Sequence, residues 1–122
     1  IFSFFLLMIL LTTNIVFNGA EKALAIEEQS SNLIEKISRD YTKKFCNSIG
    51  FGLSKESAMN FSYSENKKIF EKRKGMKDLD KELLAEKIGM SVVDGCGYKL
   101  NLYGEKDIQD FAKYYLSIDN IN

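Results

Sequence analysis

The chain has 122 residues, with 17 basic and 17 acidic side chains, so its formal net charge is zero. Balanced charge gives no overall field that would attract nucleic acid, an anionic membrane or an acidic substrate. Because the sequence contains no histidine, Ser-His-Asp and Cys-His nucleophiles and most zinc or copper sites are excluded. We expect no catalytic residues, no metal and no cofactor.

An apolar block opens the chain. Ile1 to Phe17 carries no charge, and charged residues begin only at Glu21. Ala23 and Ala25 are small residues at the two positions that a signal peptidase reads, so residues 1–25 are predicted to be a secretory signal peptide cleaved after Ala25. The basic n-region of such a leader is missing, and we therefore expect the leader to be truncated at its N-terminus.

The alternative for this block is a membrane anchor formed by residues 1–17. A membrane-spanning helix needs roughly 20 apolar residues, whereas a helix of this length covers only about 25 Å. Extending it inward would bring Asn18, Glu21 and Lys22 into lipid. A cleaved leader followed by a single domain of residues 26–122 is the preferred prediction, and a tethered accessory subunit is the alternative.

Two helices are predicted in the first half of this domain. Apolar residues recur at spacings of three and four between Ile26 and Gly50, namely Leu33, Ile34, Ile37, Tyr41, Phe45 and Ile49. Ser54 is a suitable N-cap for a second helix that reaches Phe70. The serines and asparagines of this second segment favour a bend near Ser62 to Ser64.

Two further helices are predicted in the second half. Asp78 or Asp80 can cap a helix that ends at Gly95 and Gly97, with an apolar stripe of Leu79, Leu83, Leu84, Ile88 and Val92. Tyr98 to Tyr103 alternates with period two and predicts a short extended segment, and a last helix starts at Gly104. The fold class is therefore all-α, a small bundle of about four helices after the leader.

Cys46 and Cys96 are the only cysteines, one near the end of the first helix and one just after the third. In an oxidising compartment they predict one disulfide, which closes a loop that would stabilise the domain by roughly 4 kcal/mol in the chain-entropy model. Two unpaired thiols and a redox-active pair are the alternatives, although thiol-exchange catalysts usually carry cysteines two residues apart.

Few other residues suggest chemistry. Asp94 is the best single carboxylate candidate for catalysis, but a solvated carboxylate at a helix end is the simpler interpretation. Acidic residues interleave with the basic residues between Lys67 and Lys77, which favours an exposed connector over a phosphate or lipid site. The sequence therefore predicts a protein that is not an enzyme.

Four tyrosines near the C-terminus suggest an interaction surface, namely Tyr98, Tyr103, Tyr114 and Tyr115. The adjacent Tyr114 and Tyr115 cannot both face the core of one helix, so one ring should be exposed and available to anchor a partner protein. Tyrosine rings packed at the rim of a small core are the simpler interpretation, and the interaction surface is the alternative to it. We expect the partner to be another protein and not nucleic acid.

Residues Phe45 to Leu53, Asp94 to Tyr98 and Gly104 to Ile108 resemble small exported proteins of unknown function from marine cyanobacteria. The resemblance covers most of residues 26–122 and implies a location in the periplasm or thylakoid lumen, without implying an activity. The two-cysteine helical plan is also similar in outline to small acid-stress periplasmic chaperones. The sequence thus predicts an exported accessory or interaction domain, in the periplasm, the thylakoid lumen or outside the cell, with a chaperone-like stress protein as an alternative.

Overall fold

The computed structural model describes the backbone of residues 2–122 and the side chains of residues 21–122. Over this range the chain forms four α-helices and no strand: α1 (Phe2–Gly50), α2 (Lys55–Phe70), α3 (Lys81–Cys96) and α4 (Gly104–Ile121). Short 3-10 turns at Met76–Asp78 and Gly97–Leu100 join α2 to α3 and α3 to α4. The predicted all-α class and helix number are confirmed.

The first helix begins well before Ile26, its predicted start. Residues 21–29 are helical and exposed, and burial begins at Leu33. The periodic apolar residues thus mark the packed half of α1, whereas its exposed half continues because Glu21 to Glu28 contains neither proline nor glycine.

The predicted anchor, residues 1–17, and the first 20 residues of the predicted leader lie outside the described side chains. Among the residues that are described, no helix is long and apolar enough to cross a membrane.

The second helix has the predicted cap but lacks the predicted bend. The Ser54 hydroxyl accepts a 3.2 Å hydrogen bond from the backbone N–H of Ser57. The helix is continuous through Ser62, which is fully buried. Asn66 donates to the Ile37 carbonyl at 3.1 Å, so α2 is held against α1 along its length. Tertiary packing therefore outweighs the low helix propensity of this segment.

Asp80, not Asp78, caps the third helix, because its carboxylate accepts a 3.0 Å hydrogen bond from the Leu83 N–H. Leu83 was predicted on the buried stripe and is instead exposed. The buried face is centred on Ala85 and Gly89 because α3 packs against both α1 and α4. A Cβ at Gly89 would lie 2.7 Å from the carbonyl oxygen of Ile108, so α3 and α4 cross in close contact at this glycine.

The predicted extended segment from Tyr98 to Tyr103 is wrong. Gly97–Leu100 is a 3-10 turn, and the Leu102 N–H closes it with a 2.9 Å hydrogen bond to the Gly97 carbonyl. Asn101 has a φ of 55°, the left-handed conformation that asparagine tolerates well. With no neighbouring strand among residues 2–122, the backbone groups are satisfied locally, and the turn reverses the chain into α4.

The side chains buried between the helices form a single core with aromatic rings at its centre. The ring of Tyr41 in α1 meets that of Tyr115 in α4 edge to face, with ring centroids 5.5 Å apart, and Phe45 meets Phe111 in the same way at 5.3 Å.

Cys46 and Cys96 lie at disulfide-bonding distance, with Cα atoms 5.7 Å apart, which confirms the predicted pairing. The bridge joins the C-terminal parts of α1 and α3, and burial of Cys96 leaves its sulfur inaccessible.

Candidate functional site

Two of the predicted tyrosines share one surface. Tyr98 and Tyr103 are 63% and 62% exposed, and both line an open groove between the C-terminal half of α3 and the turn that leads into α4. We call this surface the tyrosine groove. Its volume is about 730 Å³, and it is lined by Met90, Val93, Asp94, Tyr98, Leu102, Tyr103 and Ile108, among others.

The other two predicted tyrosines lie elsewhere on α4. Tyr114 is exposed, but it does not line the tyrosine groove. Tyr115 is a core residue that packs on Tyr41 and Tyr63, so its assignment to an interaction surface is corrected. The expectation that only one of two adjacent rings faces the core is confirmed, and helical geometry explains it, since neighbouring residues point about 100° apart.

Asp94 lies at the edge of the tyrosine groove near the end of α3 and is exposed. The position of Asp94 therefore fits a solvated helix-end carboxylate. Within residues 21–122 no group of three or more metal-ligating Cys, Asp or Glu side chains comes together.

A second site lies at the opposite end of the α3–α4 pair. It is a partly enclosed cavity of about 360 Å³ between the C-terminal half of α2, the start of α3 and the end of α4. We call it the helix-end cavity. Its apolar wall consists of Met76, Leu79, Leu84 and the rings of Tyr63 and Tyr115, and its polar side includes Lys67, Glu71, Lys77, Lys81 and Asp119.

Asp119 is the centre of the polar side of this cavity. One carboxylate oxygen accepts a 2.7 Å hydrogen bond from the Tyr63 hydroxyl, and the other accepts a 2.7 Å bond from the Lys81 ammonium. Burial by itself raises the pKa of Asp119, but the hydrogen bonds from Lys81 and Tyr63 outweigh it, and the net pKa is below its ordinary value. Asp119 is therefore an ionised carboxylate with both oxygens engaged.

The two tyrosines of the cavity wall are held in the protonated form. Burial raises the pKa of Tyr63, and the hydrogen bond to Asp119 raises it further. Burial and the negative charge of Asp119 raise the pKa of Tyr115. Tyr115 is 5% exposed, so it presents a neutral phenol at the cavity wall.

Two lysines at the cavity carry charge that no acidic side chain of residues 21–122 neutralises directly. Lys81 pairs with Asp119, whereas neither Lys67 nor Lys77 forms an ion pair over that range. Lys67 is half-buried and donates a long 3.4 Å hydrogen bond to the Asn122 backbone oxygen. The sequence predicts both lysines on a solvated face or connector; in the structure they line one cavity together with the start of α3 and the end of α4, a grouping that no local pattern reveals.

No protein-family model, no curated protein and no solved structure matches this chain. The two surfaces that could carry a function in the described part of the chain are the tyrosine groove and the helix-end cavity.

Proposed function

We propose that residues 26–122 form an exported, non-enzymatic accessory domain that binds another protein through the tyrosine groove. The observation that carries this proposal is the exposure of Tyr98 and Tyr103 in the lining of one open groove, beside the apolar side chains Met90, Val93, Leu102 and Ile108. Tyrosine offers a large, rigid, amphipathic contact area and is enriched among the residues that dominate binding energy at interfaces. The expected partner is a protein segment that inserts an apolar side chain into the tyrosine groove.

Rigidity of the groove supports the same proposal. The turn that presents the tyrosines is closed by the hydrogen bond between Leu102 and Gly97, and it directly follows Cys96, the cysteine that pairs with Cys46. A surface that is already ordered loses less conformational entropy when a partner binds. The exposed rings therefore need little rearrangement to take part in an interface.

Export is proposed on three grounds. Residues 1–25 have the apolar block and small-residue site of a secretory leader. A cysteine pair at bonding distance suits an oxidising compartment. The resemblance to exported cyanobacterial proteins favours the periplasm or thylakoid lumen, and secretion to the outside is also consistent with the leader.

The binding proposal is tested by capturing partners from the native envelope fraction with the purified domain as bait. A Tyr98→Ser/Tyr103→Ser double variant should lose a protein that the unmodified bait retains. Tyr114→Ser removes an exposed tyrosine outside the groove and is the matched control, so it should retain that protein. Equal capture by the double variant and the unmodified bait would contradict a role for the groove.

A membrane-tethered accessory subunit that keeps residues 1–17 is the second candidate. The helical, exposed stretch of residues 21–29 favours it, because such a stretch can act as a spacer between a membrane and the packed core. N-terminal sequencing of the protein from its native envelope separates the two candidates. A mature start at Ile26 excludes the tether, and retention of residues 1–17 excludes the cleaved form.

The chaperone-like hypothesis stays a prediction, tested by suppression of aggregation in a refolding assay.

A further inference from the structure

We infer that the helix-end cavity binds a small amphipathic molecule with one anionic oxygen group and a short apolar body. This site is separate from the tyrosine groove, because it lies at the other end of α3 and α4 and shares no lining residue with it. Its volume of about 360 Å³ is within the range of small-ligand pockets, which are mostly apolar with a few convergent polar groups. The cavity has this composition.

The sign of the ligand charge follows from the lysines. Among the lining side chains, Lys67, Lys77 and Lys81 outnumber Glu71 and Asp119 by one positive charge, and the Asn122 backbone oxygen accepts a 3.4 Å hydrogen bond from Lys67. Asp119 has both oxygens engaged by Tyr63 and Lys81, so it has little capacity to attract a cation. Lys67 and Lys77 form no ion pair within residues 21–122. An anionic group is thus the complementary one.

Tyr115 provides a second and independent observation. This residue is 5% exposed and forms part of the cavity wall. Within residues 21–122 the fully buried side-chain oxygens without a hydrogen-bond partner are those of Tyr41 and Ser62, so the Tyr115 phenol is not a buried orphan. A ligand oxygen in the cavity can accept a hydrogen bond from this phenol in place of water. Because its pKa is raised, Tyr115 is a donor at all physiological pH values, and a donor suits a carboxylate oxygen.

The apolar lining of the cavity determines what the uncharged part of the ligand can be. Met76, Leu79 and Leu84 offer only apolar surface, and Met76 is a flexible side chain that adapts to different shapes. A molecule that is anionic at one end and aliphatic at the other places each part against matching surface. We therefore assign the site to a short-chain or medium-chain carboxylate, and octanoate is the probe for its test.

Isothermal titration calorimetry of the purified, oxidised protein at low salt compares three probes with the same chain, namely octanoate, octanol and octylammonium. Octanoate should bind, octanol should bind more weakly, and octylammonium should not bind. Anionic phospholipid vesicles form a fourth arm that separates a soluble carboxylate from a membrane lipid. Vesicle binding without octanoate binding overturns the proposal, as does equal binding of the three octyl probes.

Variants connect the binding to these residues. Tyr115→Phe keeps the ring and removes the donor, so octanoate affinity should fall by about tenfold or more, the usual effect of losing a hydrogen bond to a charged group. Lys67→Gln/Lys77→Gln should weaken binding and reduce its salt dependence. Lys72→Gln/Lys113→Gln removes the same charge outside the cavity and should leave binding unchanged.

Chemical-shift mapping gives a readout that does not depend on how well a variant folds. Addition of octanoate to the unmodified protein should shift backbone signals of Met76, Leu84 and Tyr115. The inference is overturned if these signals do not move, if the shifts map to the tyrosine groove, or if the lysine variants and their control bind octanoate equally well.

Discussion

Tyr63 of α2 donates a 2.7 Å hydrogen bond to the carboxylate of Asp119, 56 residues further along the chain. Tyr41 is also buried, but its hydroxyl has no hydrogen-bond partner among the side chains and backbone of the described residues. The two phenols therefore contribute to stability with opposite sign. One joins α2 to α4, and the other carries the cost of a buried polar group without a partner.

Phenylalanine substitutions at these two positions should therefore have different effects. Tyr63→Phe breaks a hydrogen bond to a charged group and should lower the free energy of unfolding by about 1.5–3 kcal/mol. Tyr41→Phe removes an unsatisfied buried hydroxyl while keeping the ring and should leave stability unchanged or raise it by about 1 kcal/mol. Urea denaturation of both variants measures the difference, and equal destabilisation by the two would contradict this assignment.

The crossing of α3 and α4 at Gly89 should not accept a side chain. A Cβ there would meet the Ile108 carbonyl oxygen at 2.7 Å, so Gly89→Ala must push the helices apart and should cost about 1–3 kcal/mol. Gly50→Ala is the matched control, because its nearest neighbour, the Lys99 ammonium, is 4.0 Å away. Thermal denaturation should show a lower Tm for the first variant and an unchanged or higher Tm for the second.

The pairing of Cys46 and Cys96 should contribute a large part of the stability. The two are separated by 50 residues, and a loop of this length corresponds to about 4 kcal/mol in the chain-entropy model. Cys46→Ala/Cys96→Ala should therefore unfold at much lower denaturant concentration than the oxidised protein. Thiol titration of the protein purified from its native source, under denaturing and non-reducing conditions, should detect no free thiol; two free thiols would refute the bridge.

The ion pair of Lys81 with Asp119 predicts a specific loss of stability in acid. The pKa of Asp119 is lower in the folded than in the unfolded protein. Ionised Asp119 therefore adds to the free energy of unfolding in full above the unfolded pKa of about 3.9, and this stabilisation is lost as pH falls through the folded pKa. Asp119→Asn should remove this component. The free energy of unfolding, measured between neutral pH and the acid transition, should show a smaller acid-dependent loss for the variant than for the unmodified chain.

Local sequence patterns predict the helices well because each helix buries a regular stripe. The spacing of Leu33, Ile37, Tyr41 and Phe45 identifies the packed face of α1, and these four side chains are all buried. The N-cap at Ser54 and the pairing of the only two cysteines are also correct. The helix stripe and the N-cap depend on residue type and spacing within one segment. The cysteine pairing is predictable because each cysteine has only one possible partner in the chain.

The errors arise where a distant part of the chain decides the outcome. Leu83 belongs to a valid helical stripe, but the position of α4 moves the buried face of α3 toward Ala85 and Gly89. Tyr98 to Tyr103 alternates as a strand does, yet a strand needs a neighbour, and the described chain offers none. The helix-end cavity combines α2, α3 and α4, so its residues share no sequence signal that could have indicated a site.

The loop closed by Cys46 and Cys96 contains all of α2 and α3 and leaves α4 outside it. Beyond the turn that links it to α3, α4 is held only by noncovalent contacts, so its amides should exchange with solvent sooner than those of α3, which lies inside the cross-linked loop. Tyr115 and Asp119 belong to α4 and line the helix-end cavity. An opening of α4 would therefore dismantle this cavity.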